Sequence, residues 1–309
     1  LTTILLALLL LPCMACATKY PVTVKDCRGK SIKIATEPKR IVSIAPSNTE
    51  ILFALGLDKQ IVGVTRFCNY PASAKKKTQV GDLRTSVEKV ISLKPNLVLA
   101  HGFLNDEAVR SLEKHKIVVV AFDPKTLDEA MRDIKTIGLI TNREKQAAQI
   151  VSRMSATISL VKRKSAGVKS KPKVLVAVQG EPLWAAGPRT FVDEMIRLSG
   201  GVNIASDAKA GFNQFSTEAA VWRKPDVIIY TTGSDSKIFS KGLWTGTNAV
   251  KRNHLGSTSQ PSPTLSITKN PAISRKYLFT LMSLVLTWPI APRVADRRFE
   301  RGRACAGSR

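Results

Sequence analysis

Two acidic side chains stand in the same chemical setting at two separate places in the chain. Ser86-Val87-Glu88 leads through an apolar helical run to Lys94-Pro95-Asn96 and then to the strand-like Leu97-Val98-Leu99-Ala100. With the same internal spacing, Ser216-Thr217-Glu218 leads to Lys224-Pro225-Asp226 and Val227-Ile228-Ile229-Tyr230. A serine there caps a helix by accepting from a free backbone N–H, and a first-turn glutamate is favoured by the positive helix end. Lys-Pro closes the helix, because the residue before proline is pushed out of the right-handed α region. One account of the glutamates is a charge–dipole contribution of about 0.3–1 kcal/mol each. The other is a pair of functional surface acids. The copies lie too far apart for a solenoid, whose units run about 20–50 residues, and they imply two similar lobes.

Other chemistry-bearing residues are few. The chain has 3 histidines, His101, His115 and His254, too few for a zinc or manganese site built mainly on imidazole. No nucleophile elbow, phosphate loop or dinucleotide fingerprint occurs, and Gly200-Gly201 reads as a helix stop. The expectation is therefore a protein that is not an enzyme, with an exported metal-dependent enzyme as the distant alternative. Ligands of open α/β sheets bind beyond the carboxyl ends of strands. Phe67, Tyr70, His101, Trp184 and Phe212 all fall just after an expected strand or in the loop beyond one. Each alone reads as a packing residue. Together, in corresponding loops of both lobes, they suggest a cleft lined for a large, partly apolar ligand, with His101 and Gln214 as polar contacts.

The elements that must position these residues alternate between strand and helix, giving an α/β fold with mostly parallel sheets. A β-hairpin is expected around Asp26-Cys27-Arg28-Gly29, a buried strand at Ile41–Ala45, and a helix from Pro46-Ser47-Asn48-Thr49-Glu50 to Gly56. The segment Leu127–Lys164 is helix-favouring throughout, interrupted only by Gly138. Within it, Arg143–Lys164 keeps an apolar face through Ala147, Ile150, Val151, Met154 and Ile158; at 1.5 Å per residue such a helix spans about 33 Å. It lies between the two copies of the repeat and reads as a rigid strut. Gln179–Trp184 and Gly211–Phe215 read as aromatic loops.

The chain has 309 residues, 44% hydrophobic and 23% charged, with a net charge of +25. That is ample for two cores. The basic excess favours anionic surfaces or solutes, but no zinc spacing, aromatic-basic motif or recognition helix supports nucleic-acid binding. Residues 1–17 read as an export signal: an apolar run from Ile4 to Leu11, then Ala15-Cys16-Ala17, with Cys16 as an alternative lipid-anchor site. In an exported protein, Cys27 and Cys68 either form a disulfide, which would contribute roughly 3–4 kcal/mol, or remain two separate buried thiols.

Several stretches together resemble a known family. Lys39-Arg40-Ile41-Val42-Ser43, Pro46-Ser47-Asn48-Thr49-Glu50-Ile51-Leu52-Phe53-Ala54-Leu55-Gly56, Val62-Gly63-Val64, Tyr70-Pro71 and both Ser-x-Glu…Lys-Pro units are similar to the helical-backbone (class III) periplasmic binding proteins of ABC importers. The Ser-Asn-Thr-Glu helix start is most similar to the cobalamin-binding branch. The resemblance implies two Rossmann-like lobes joined by a single long backbone helix, with cobalamin or a related corrinoid held between them. A ferric siderophore or haem is the alternative ligand, with His101 or Tyr70 near the iron. It further implies that Glu88 and Glu218 dock into the two permease subunits, and that Tyr70 or Phe67, Trp184 and Phe212 pack the ligand. The expected protein is a periplasmic monomer without a resident cofactor.

The expected organisation is a signal peptide at 1–17, an N-terminal lobe at 18–126, a helical connector at 127–165, a C-terminal lobe at 166–253, and an atypical tail at 254–309. The tail departs from the family pattern. It is Ser/Thr/Pro-rich, then apolar from Tyr277 to Ile290, then arginine-rich. We read it as a frameshift or assembly error, the alternative being a short membrane-seeking segment.

Overall fold

Each lobe is tied together by the residue that follows its Lys-Pro turn. In the computed structural model, which describes residues 18–82, 84–167, 170–230 and 236–257, Asn96 Oδ1 accepts from the backbone N–H groups of Lys39 (3.1 Å) and Arg40 (2.9 Å). Asp226 Oδ2 accepts in the same way from Lys173 N at 3.0 Å. The backbone N–H of Asn96 donates to Arg40 O, and that of Asp226 to Lys173 O, both at 2.8 Å. The repeated sequence thus fastens a repeated strand to the first strand, in chain order, of each large sheet. Residues 1–17, where an export signal is expected, and the tail beyond Ser257 lie outside the described residues.

The N-terminal part opens with the antiparallel hairpin β1 (Val22–Lys25) and β2 (Ser31–Ile34), whose inward residues Val22, Val24, Ile32 and Ile34 are buried. There follow β3 (Ile41–Ser43), α1 (Pro46–Ala54), β4 (Ile61–Val64), β5 (Thr78–Gln79), α2 (Val87–Ser92), β6 (Leu97–His101), α3 (Asp106–Lys114) and β7 (Val119–Phe122). The five strands form a parallel sheet in the order β5-β4-β3-β6-β7. Its central strands β3 and β6 are buried on both faces, so they read as continuous apolar runs rather than alternating ones. Two clusters cover it, one led by Leu52, Leu97, Leu99 and Ile137, the other by Val42, Val98, Val109 and Leu112.

The C-terminal part contains β8 (Lys173–Gly180), β9 (Leu183–Ala186), α6 (Phe191–Leu198), β10 (Val202–Asn203), β11 (Phe212–Gln214), α7 (Thr217–Trp222), β12 (Val227–Tyr230), α8 (Asn248–Lys251) and β13 (Leu255–Ser257). Its sheet runs β11-β9-β8-β12-β13, with β10 also on β8. β8, β10, β12 and β13 pair in parallel; β9 and β11 are antiparallel. The two expected aromatic loops are therefore partly strand. Leu-Trp-Ala-Ala and Phe-Asn-Gln are too short to show a period, and β11 is held by pairing with the remote β9.

Between the sheets, α4 (Leu127–Ile140) and α5 (Glu144–Ser165) form a helical hairpin. Ala147, Ile150, Val151 and Met154 of α5 belong to an N-terminal cluster, whereas Val161 belongs to a C-terminal one. α4 is divided in the opposite sense: Leu127 joins the C-terminal cluster, and Ile134, Ile137 and Ile140 join the N-terminal one. The strut expected of one helix thus has a companion. Gly138 explains the close pairing, since a Cβ there would sit 2.5 Å from Ala147 Cβ. Leu127 N also donates to Glu194 Oε2 of α6 at 2.9 Å.

Lys94 and Lys224 close α2 and α7 in the left-handed region, at φ of 47° and 51°. Both have left the right-handed region, as the following proline demands. Lys94 N returns to Ile91 O and Lys224 N to Val221 O, both at 2.9 Å, so each lysine serves as a left-handed helix terminator.

Candidate functional site: aromatic edges and paired acids

A helix joined by a tight turn to the next strand runs back against it, so its start lies at the strand's carboxyl edge. The edge that carries the loops after β4 and β6 thus also carries the start of α2. The same holds for α7 and β12.

On the C-terminal sheet, Gln214 is the cross-strand partner of Trp184, and Phe212 of Ala186. Alternation places Trp184, Gln214 and Phe212 on one face of the β9–β11 ribbon. Phe191 supports Phe212 edge-on, with ring centroids 6.3 Å apart. In the N-terminal part, Phe67 and Tyr70 leave β4 in a turn closed by Cys68 N to Thr65 O. Phe67, Tyr70, Trp184 and Phe212 are each between 38% and 43% exposed. Each ring therefore leaves apolar surface open to a ligand.

Cys68 lies beneath this turn, fully enclosed, with its sulfur 3.1 Å from Thr49 Oγ1 and 3.2 Å from Thr65 Oγ1. Cys27 sits on the β1–β2 turn, its N–H donating to Ala121 O at 3.0 Å. The Cys27–Cys68 disulfide considered from sequence is not formed; both are free thiols, and of the two only Cys68 is buried, Cys27 being exposed at its turn. Cys68 is held by hydroxyls in the core, whereas Cys27 is anchored at the far side of the sheet beside Gly102. A Cβ on Gly102 would overlap Cys27 Sγ. Burial, with Asp26 and Asp123 nearby, pushes the Cys27 thiol up to about 11.

His101 ends β6. Its Nε2 is 3.5 Å from Asp123 Oδ1, and its Nδ1 lies 3.4 Å from Leu104 N. Burial lowers its pKa, opposed by Asp123, and its Nδ1 accepts from Leu104 N. Among the described residues, no group of three His, Cys, Asp or Glu side chains is disposed to hold a metal ion.

The paired acids are held alike. Ser86 Oγ donates to Glu88 Oε2 at 3.0 Å and accepts from Lys89 N at 3.3 Å. Ser216 Oγ donates to Glu218 Oε2 at 2.7 Å and accepts from Ala219 N at 3.1 Å. Each serine therefore caps its helix and orients the carboxylate at once. Both acids are exposed. The pKa of Glu88 is lowered by its own backbone N–H and by Ser86, and that of Glu218 by Ser216 and then its backbone N–H.

Three features escaped the sequence reading. Phe103 and Leu104, between His101 and α3, are 79% and 70% exposed. Their signal was available, as an apolar pair out of register between Gly102 and Asn105. Glu50 on α1 has no hydrogen-bond or ion-pair partner among the described residues, and burial raises it to about 8. Asp133 on α4 is raised to about 7, by burial first and by Glu129 next. Neither position is marked by spacing.

The family profile described as "Periplasmic binding protein" matches residues 41–260. An uncharacterized ABC transporter substrate-binding lipoprotein, YvrC of Bacillus subtilis, is 37% identical over 244 residues, covering 76% of this chain and 77% of the relative. A cobalamin-binding protein of Halobacterium salinarum is 30% identical over 244 residues, covering 77% of this chain and 66% of the relative. Among solved structures, a possible iron-binding (periplasmic solute-binding) protein from Staphylococcus epidermidis superposes with a TM-score of 0.62 at 29% identity. That match covers 81% of this chain and 99% of the other.

Proposed function

Because the chain belongs to the periplasmic binding protein family, whose members serve ABC transporters as substrate-binding components and not as enzymes, we propose that it carries cobalamin or a related corrinoid to an ABC permease. The observation that carries this reading is the common face of Trp184, Gln214 and Phe212, matched by the part-exposed Phe67 and Tyr70 on the other lobe. A corrin ring is broad, flat and partly apolar, and its amide side chains call for polar partners such as Gln214. The cobalamin-binding relative supports the same ligand class. Four part-exposed aromatics supply area for such a ring at low conformational cost.

Glu88 and Glu218 are oriented, ionised and exposed, and they serve as one docking acid per lobe for cationic sites on the permease subunits. The ligand is cargo, so no resident cofactor is needed. The protein works outside the cytoplasm, exported by its N-terminal segment or anchored there at Cys16. A ferric siderophore or haem is the second reading, favoured by the basic balance of the chain.

The test is to incubate the purified chain separately with cyanocobalamin, haemin and a ferric siderophore, remove free ligand, and record absorption spectra. Stoichiometric retention of cyanocobalamin supports the corrinoid reading. Retention of haemin or the siderophore alone overturns it.

A further inference from the structure

Trp222 is the last residue of α7 and is 81% exposed, more than any other large hydrophobic among the described residues. Its position is fixed by its neighbours. Arg223 pairs in bidentate fashion with Asp207, at 2.6 and 3.0 Å, and also donates to Ile204 O. The Arg223 guanidinium lies 5.1 Å from the centroid of the Phe215 ring. On the other side, Ala220 is buried in the core. The helix end that carries the indole is thus anchored on both sides, while the indole itself stands in water. The matching position on α2 is Ser92, whose hydroxyl simply returns to Lys89 O at 2.8 Å.

Residues four apart share a helix face, so Trp222 lies on the same side of α7 as the oriented carboxylate of Glu218. The 3-10 turn Gly242–Gly246 packs against α7 and presents Leu243, which is 60% exposed. Beside α2 the surface instead carries an open depression of about 260 Å³ lined by Arg66, Gln79, Gly81, Asp82 and Lys89. The two acid-bearing faces therefore match in their acids and differ in what flanks them.

We propose that Trp222 is a second docking anchor, seated in an apolar pocket of the same permease subunit whose cationic site receives Glu218. The inference rests on the docking role of Glu218 given above and makes that role unequal between lobes. The partner site is an acid acceptor adjoining an apolar recess, a combination that fits an exposed tryptophan beside a carboxylate. Tryptophan is among the residues most often found to dominate interface energetics. The C-terminal lobe then makes the tighter contact, and the protein approaches its transporter in a preferred sense.

The experiment uses the full chain and its cognate permease–ATPase complex in nanodiscs, with affinity measured at low and high salt. Trp222→Ala is expected to weaken the complex by about tenfold or more, with the loss persisting at high salt. The loss from Glu218→Ala should shrink as salt screens it. Trp222→Phe should recover part of the affinity, and retention of cyanocobalamin should not change. Trp222→Ala binding within twofold of the parent, while Glu88→Ala and Glu218→Ala are weakened, would overturn the anchor and leave the acid docking standing. If none of the three variants is weakened, both fall. The exposure of Trp222 means that Trp222→Ala folds, which an unchanged melting temperature would verify.

Discussion

Gln214 stands directly across the β9–β11 pair from Trp184, so an amide and an indole share one open face. If that face holds a corrinoid, the two residues contribute unequally. Trp184→Ala removes a large apolar surface and is expected to reduce cyanocobalamin affinity by about tenfold or more. Gln214→Ala removes one hydrogen-bonding group, worth about 0.5–1.5 kcal/mol, and should cost less. Spectroscopic titration checks both, and equal losses would place the ligand elsewhere on the ribbon.

Glu88 and Glu218 are exposed and each is oriented by its own capping serine. The double variant Glu88→Ala/Glu218→Ala is expected to retain ligand at parental affinity while vesicles containing the transporter lose uptake. A fall in ligand affinity would assign these acids to the binding face. Ser86→Ala and Ser216→Ala should each lower stability by about 1 kcal/mol through loss of the cap and weaken transport less than the acid variants.

Glu50 and Asp133 give stability a definite pH dependence. Burial holds Glu50 at about 8 against an ordinary 4.5, and Asp133 at about 7 against 3.8. The folded protein therefore keeps both protons where the unfolded chain has released them, and ∂ΔG/∂pH is negative between those limits. Their stabilising effect is complete below about pH 4 and is lost as pH rises toward 8. Melting temperature should drop over that range. Glu50→Gln with Asp133→Asn should flatten the profile and raise the melting point at pH 8 by several degrees. An unchanged profile would mean that the carboxyls are solvated.

Gly102 separates His101 from the exposed Phe103 and Leu104 and faces Cys27 Sγ. Gly102→Ala forces the β1–β2 turn and the β6 loop apart, with an expected cost of about 1–3 kcal/mol. Cys27→Ala in the same chain should recover most of that loss, as a double-mutant cycle in chemical denaturation would show.

The parts of the fold that could be read from sequence were those set by local chemistry. Serine caps, Lys-Pro stops and long apolar periods announced α2, α5, α7 and the strands β6 and β12. The paired acids were visible because the same short-range rules occur twice. Features decided by distant partners were not visible. β9 and β11 owe their extended form to each other, and Trp184 and Gln214 became neighbours only through that pairing. Cys27 and Cys68 were separated by the path of the sheet between them. The helix end beside Trp222 is anchored by Arg223 reaching Asp207, a contact no spacing rule encodes.

The two-core attachment of α5 also constrains how this segment can change in length. Met154 is committed to one cluster and Val161 to another. One residue inserted between them would rotate the second commitment by about 100° around the axis and advance it by about 1.5 Å. Insertions and deletions there are tolerable only in near-whole turns, so this stretch acts as a ruler whose divisions are fixed by helical geometry.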